Sequence, residues 1–223
     1  MRGRFITFEG GEGAGKSTQI QRLARRLVSR DIEIVMTREP GGSPGAEAIR
    51  HVLLTGAAKP LGPDAEAMLF AAARGDHVRT LIAPALAQGQ WVLCDRFADS
   101  TRVYQGALGE VDPRLIRRLE RIAVGDCVPD LTLILDLPAF VGLARAAQRR
   151  GSEAVDRFES ETIEFHDRLR LAYRELATLE PQRCALIDAR GDADQVAAAI
   201  WQVVSERFGF EEPRPARQAE ARP

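Results

Sequence analysis

Gly10-Gly11-Glu12-Gly13-Ala14-Gly15-Lys16-Ser17 is the stretch whose reading decides the fold. It matches G-x-x-x-x-G-K-[ST], a loop whose glycines let successive backbone N–H groups turn inward around phosphates. The flanks agree with it. Phe5 to Glu9 alternates apolar and polar residues as a strand does, and Lys16 to Arg30 repeats apolar residues at Ile20, Leu23, Ala24 and Leu27 with a helical period. Strand, glycine loop and helix in that order aim a helix N-terminus at a bound phosphate. Composition singles out the lysine: basic residues are almost all arginine, and the only lysines are Lys16 and Lys59. Gly10 to Ser17, with Thr18, is therefore the expected nucleotide site, where Lys16 reaches the β- and γ-phosphates and the Ser17 hydroxyl ligates Mg²⁺.

Working outward, a second strand at Ile32 to Met36 runs into the turn-forming stretch Arg38 to Gly45, and helix signals resume from Ala46 to Leu54. An alanine-rich helical stretch spans Asp64 to about Gln88, with a bend expected at Pro84. Trp91 to Cys94 is a short apolar strand ending on Asp95, a carboxylate placed to help hold Mg²⁺. Leu131 to Leu135 ends on Asp136, Cys184 to Ile187 ends on Asp188, and a last helix reaches about Phe208. Strands alternating with helices predict an α/β fold, a doubly wound parallel sheet flanked by helices. Residues 1–210 are expected to form one domain, and 211–223, with three prolines and no aromatic residue, a disordered tail.

Among 223 residues, 31 Lys and Arg face 32 Asp and Glu for a net charge of -1, so no basic field of the kind that binds nucleic acid is expected. Arginine bunches at Arg22, Arg25 and Arg26 and at Arg114, Arg117, Arg118 and Arg121 read as solvated helix faces. Cys94, Cys127 and Cys184 are odd in number and widely spaced, which argues against disulfides or zinc and for buried thiols in the cytoplasm. Neither a signal-peptide core nor a run of membrane-spanning length is legible. The chain has no asparagine, so the N-K-x-D guanine-reading motif is absent and ATP is the expected nucleotide. His51, His77 and His166 lack metal-ligand spacing and read as ordinary structural or surface residues.

Phe8 to Thr18, then Thr37-Arg38-Glu39-Pro40-Gly41-Gly42, then Asp95-Arg96-Phe97 followed by Ser100-Thr101 and Tyr104-Gln105-Gly106, resemble bacterial thymidylate kinases in order and spacing. The resemblance covers about Phe5 to Ala189. It implies a five-stranded nucleoside monophosphate kinase fold with a short lid, homodimers, and transfer of the ATP γ-phosphate to dTMP. It also implies residue roles. Phe70 stacks on thymine and Arg74, four residues on and on the same helix face, hydrogen-bonds a base carbonyl. Thr101 faces the base. Tyr104 lies under the deoxyribose and fills the space of a 2′-hydroxyl, with Gln105 supporting this wall, and Ser100 counts among the dTMP-binding residues. Glu12 approaches the 3′-hydroxyl, and Arg96, Arg50 and Arg38 hold the dTMP phosphate as forked donors.

Leu143 to Glu159 is similar to the family's lid. Gly13 and Ala14 stand where some members carry a catalytic arginine, so Arg149 or Arg150 of the lid is expected to supply that charge, beside Lys16 and Arg96. Asp156 and Glu159 either help hold Mg²⁺ or orient the lid. Two other readings stay open: a kinase for another acceptor, such as dUMP, a deoxynucleoside or a metabolite, and a nucleotide sensor without turnover.

Overall fold

The structure is a computed structural model and describes residues 2–150, 158 and 160–210, with only the backbone of Arg150. In chain order it forms β1 (Phe5–Gly10), α1 (Lys16–Val28), β2 (Ile34–Arg38), α2 (Pro44–Leu54), α3 (Pro63–His77), α4 (Ala83–Ala87) and β3 (Trp91–Asp95). Then come α5 (Ala98–Thr101), α6 (Pro113–Val124), β4 (Leu131–Asp136), α7 (Ala139–Arg150), α8 (Ile163–Leu179), β5 (Cys184–Asp188) and α9 (Ala193–Phe208). The sheet has five strands in the order β2-β3-β1-β4-β5. Every neighbouring pair is parallel, as the alternation of elements predicts.

Parallel strands need crossovers, and these cover both faces with apolar helices. On one face Ile6 and Phe8 of β1 pack with Ile20, Leu23 and Leu27 of α1 and with Val196, Ile200 and Val204 of α9. On the other, Phe5 packs with Val78, Ile82, Leu86 and Phe97, while Ile134 meets Leu169, Tyr173 and Leu176 of α8. Pairing of Phe8 with Asp95 and of Arg38 with Asp95 brings the carboxyl ends of β1, β2 and β3 level. The three loops that leave them share one edge, where ligands bind in open α/β sheets.

Two boundaries differ from the sequence reading. β2 starts at Ile34 rather than Ile32, because α1 unwinds slowly: the N–H groups of Arg30, Asp31 and Ile32 still bond the carbonyls of Leu27 and Val28, with Asp31 at φ 59°. The long alanine-rich stretch is divided before Pro84, through which the backbone stays helical. Its ladder widens to π-helical turns over Val78–Ile82, just before the proline that has no N–H to donate.

Candidate active site

The glycine loop closes over the end of β1 with Gly10 at φ 130°, Gly13 at 64° and Gly15 at 96°, values that side chains rarely tolerate. The loop also rests on α7. A Cβ on Gly13 would lie 1.9 Å from the Gly142 carbonyl oxygen, and one on Gly142 would lie 2.2 Å from that of Glu12. Lys16 is buried beneath, its ammonium donating to the carbonyls of Gly10 at 3.1 Å and Gly11 at 3.0 Å. Burial and the neighbouring Arg96 lower its pKa, against the pull of Glu12 and Asp95. The Ser17 hydroxyl donates to Asp95 Oδ2 at 2.8 Å. A hydroxyl beside a carboxylate is an oxygen pair that suits Mg²⁺, whose other ligands are phosphates and water.

Arg96 follows β3 with its backbone at φ 69°. Its Nη2 donates to Glu12 Oε1 at 2.5 Å and its Nη1 to the Gly10 carbonyl at 3.2 Å, while the guanidinium lies 5.2 Å from the centre of the Tyr104 ring. Burial opposes the charge on Glu12, but Arg96 and then Lys16 outweigh it and hold the carboxyl at about 2. Glu9, directly beneath and wholly buried, accepts from the N–H groups of Phe97 at 2.8 Å and Ser100 at 3.2 Å. It also accepts from the hydroxyls of Ser100 at 2.7 Å and Tyr173 at 2.8 Å. Burial and then the Asp99 charge raise its pKa.

Beside these groups opens a cavity of about 290 Å³. Its floor is Glu12, Gly13, Ala14, Gly15, Lys16, Ser17, Asp95 and Arg96; its walls carry Arg38, Arg50, Phe70, Arg74, Ser100, Thr101, Tyr104, Gln105 and Arg149. Gly10 and Gly11 lie behind the floor, holding Lys16 through their carbonyls, and Thr18 is exposed on α1 without lining the cavity. Arg74 is 3% exposed and bonds Glu39 Oε2 at 2.8 Å, with the Phe97 carbonyl and Thr101 Oγ1 both at 3.1 Å. Arg50 donates to the Pro40 carbonyl at 2.5 Å, and Arg38 pairs with Glu47 at 3.0 Å. The side chain of Arg150, with Asp156 and Glu159, lies outside the described residues, so of the lid arginines only Arg149 is located at the cavity.

Sequence reasoning passed over several groups that this geometry brings in. Phe158 lines the cavity, its ring 5.3 Å from that of Tyr104 and 6.3 Å from that of Phe70. Glu9, Tyr173 and His77 sit immediately behind the walls. A signal for His77 existed, since it stands three residues after Arg74 and so on the same face of α3.

A model of the thymidylate kinase family matches residues 8–200, nearly all of the sheet and its helices. The chain belongs to the thymidylate kinase family. A thymidylate kinase of Nitrobacter winogradskyi is 64% identical over 207 residues, covering 93% of this chain and 90% of that one. One of Bradyrhizobium diazoefficiens is 62% identical over 207 residues, 93% of this chain and 91% of its own. Among solved structures, the thymidylate kinase of Ehrlichia chaffeensis superposes with a TM-score of 0.73 at 33% identity, covering 92% of this chain and 99% of that one. As a thymidylate kinase, the chain has this cavity where the family motifs converge, at the carboxyl ends of β1 and β3. Among the described residues, no helix is long and apolar enough to cross a membrane.

Proposed function

We propose that this cavity is where the γ-phosphate of ATP passes to dTMP, giving dTDP and ADP. The observation that carries the reading is the shared wall: the phosphate loop and Lys16 meet Arg96, Arg74 and Phe70 around one cavity. ATP binds along Gly10 to Ser17, with Lys16 leaving the Gly10 and Gly11 carbonyls for the phosphates. Ser17 and Asp95 would hold Mg²⁺, which when bound offsets charge on the phosphate oxygens. Arg96, with Arg50 and Arg38, holds the dTMP phosphate; its phosphate oxygen is already anionic and needs no base to become a nucleophile. Phe70 and Arg74 take the thymine, Thr101, Ser100 and Gln105 close its edge, and Tyr104 fills the space of a 2′-hydroxyl.

Phosphoryl transfer rests on alignment and on stabilising the equatorial oxygens, and Arg149 supplies that charge from α7 together with Lys16. Arg150, Asp156 and Glu159 belong to the proposal through the resemblance alone. So does a lid over 143–159, while the division into one domain over 1–210 and a tail over 211–223 rests on length and composition. Pairing of two copies is supported by exposed Met68 and Ile122 on α3 and α6, helices that pack together. Free thiols at Cys94, Cys127 and Cys184 support a cytoplasmic working place.

A crystal structure with dTMP, ADP and Mg²⁺ tests this directly. Thymine between Phe70 and Arg74, with the monophosphate on Arg96, is the expected result. A monophosphate bound elsewhere would remove these assignments.

A further inference from the structure

Around the Arg74 guanidinium stands a chain of buried polar groups, of which Arg74 and Glu39 line the cavity while His77 and Thr37 lie behind it. Arg74, Glu39 and His77 are 3%, 7% and 0% exposed. Glu39 accepts from Arg74 Nε through Oε2 at 2.8 Å, and its Oε1 lies 3.1 Å from His77 Nδ1. The far ring nitrogen, Nε2, lies 2.8 Å from Thr37 Oγ1. A carboxylate only accepts, so Nδ1 carries the hydrogen towards Glu39, and in the neutral ring Nε2 accepts from the Thr37 hydroxyl.

Burying so many polar groups is costly unless every partner is met, and an apolar core would hold α3 in place as well. The arrangement does more than hold α3. Thr37 comes from β2, Glu39 from the loop after it, and Arg74 and His77 from α3, so the chain ties that loop to that helix. Gly42 closes over it at φ 85°: a Cβ there would lie 2.4 Å from Thr37 Oγ1 and 2.5 Å from His77 Nε2. On the neighbouring residue of the helix, Asp76 accepts from the Ser43 hydroxyl at 2.7 Å. Arg74 is thereby fixed through Nε by Glu39 and through Nη2 by the Phe97 carbonyl and Thr101. Its Nη1 takes no acceptor among the described residues, and the side chain lines the cavity.

We propose that His77 and Glu39 are specificity-determining positioning residues: they fix the Arg74 guanidinium so that a base with a carbonyl at that edge is accepted and one with an amino group is refused. This rests on the reading of Arg74 as the residue that meets the base. A guanidinium has only donors and cannot accept from an amino group. It discriminates only while its position is fixed. A guanidinium free to swing loses the bond to a carbonyl and stops opposing an amine, so both sides of the discrimination weaken.

The experiment compares kcat/KM for dTMP and dCMP in wild type, Arg74→Lys, His77→Leu and His77→Asn, with melting curves for each. His77→Leu is expected to narrow the dTMP:dCMP ratio by about tenfold. His77→Asn, which keeps a donor where Nδ1 stands, is expected to recover most of it. A group that only supports the fold would lower both rates in step; an unchanged ratio in His77→Leu, with the Arg74→Lys ratio narrowed, overturns the proposal and leaves the base reading intact. Wild type without preference for dTMP over dCMP overturns the base reading and this proposal together. Should His77→Leu fail to fold, Thr37→Val removes the outer hydrogen bond at equal volume, and its ratio decides in the same way.

Discussion

At Arg96 the backbone sits at φ 69°, where a residue with a side chain is strained by about 1–3 kcal/mol. The strain turns the guanidinium back over the phosphate loop, where Glu12 and the Gly10 carbonyl receive it. Glu12 therefore keeps its charge despite burial, with a carboxyl at about 2 against an ordinary 4.5. A depressed carboxyl stabilises the fold above its unfolded pKa and loses that contribution as pH falls through the folded value. The difference is worth on the order of 3 kcal/mol at neutral pH. Denaturant unfolding of the ligand-free protein should thus find Glu12→Gln weaker by about that amount at pH 7. The gap should close as pH falls from about 4.5 towards 2; a gap that is independent of pH would remove the ion pair from the account. At this scale Lys16 and Arg96 stood out in contiguous motifs, and Phe70 and Arg74 through the family resemblance with their spacing of four. The sequence did not show Glu9 or Tyr173, whose hydrogen bond at 2.8 Å joins residues 164 positions apart.

Between elements, two glycines leave room for the phosphate loop to rest on α7. Gly142 lies inside α7, where alanine would normally favour the helix by about 1 kcal/mol. Its Cβ would instead lie 2.2 Å from the Glu12 carbonyl, so the helix that leads towards the lid rests on the loop that cradles phosphate. Gly142→Ala is therefore expected to weaken ATP binding by about tenfold or more and to lower the melting temperature, although the change favours a helix. Gly75→Ala in α3, where the added carbon meets its nearest atoms at 3.8 Å, should change either far less. Calorimetric titration of ATP into both variants checks this, and equal effects would contradict the contact. Strands ending on Asp95, Asp136 and Asp188 were legible because each is a short apolar run stopped by a charge. The π-helical turns at Val78–Ile82 and the face that α8 turns to β4 were not, since both depend on what packs against them.

Over the whole molecule, alternating strands and helices announced a parallel sheet but not the order β2-β3-β1-β4-β5, which no local pattern encodes. That order sets the phosphate loop after β1 beside Asp95 at the end of β3 and Arg96 just after it, around the one cavity in which we propose that donor and acceptor meet. Transfer between two nucleotides held in one cavity is the central claim. ADP release from ATP and Mg²⁺, with dTMP, dUMP, dCMP, AMP, GMP and thymidine offered separately to wild type and Lys16→Ala, tests it most directly. The account predicts fastest turnover with dTMP and a loss of at least about a hundredfold in Lys16→Ala. Preference for thymidine or a purine monophosphate, or turnover indifferent to Lys16, would contradict it.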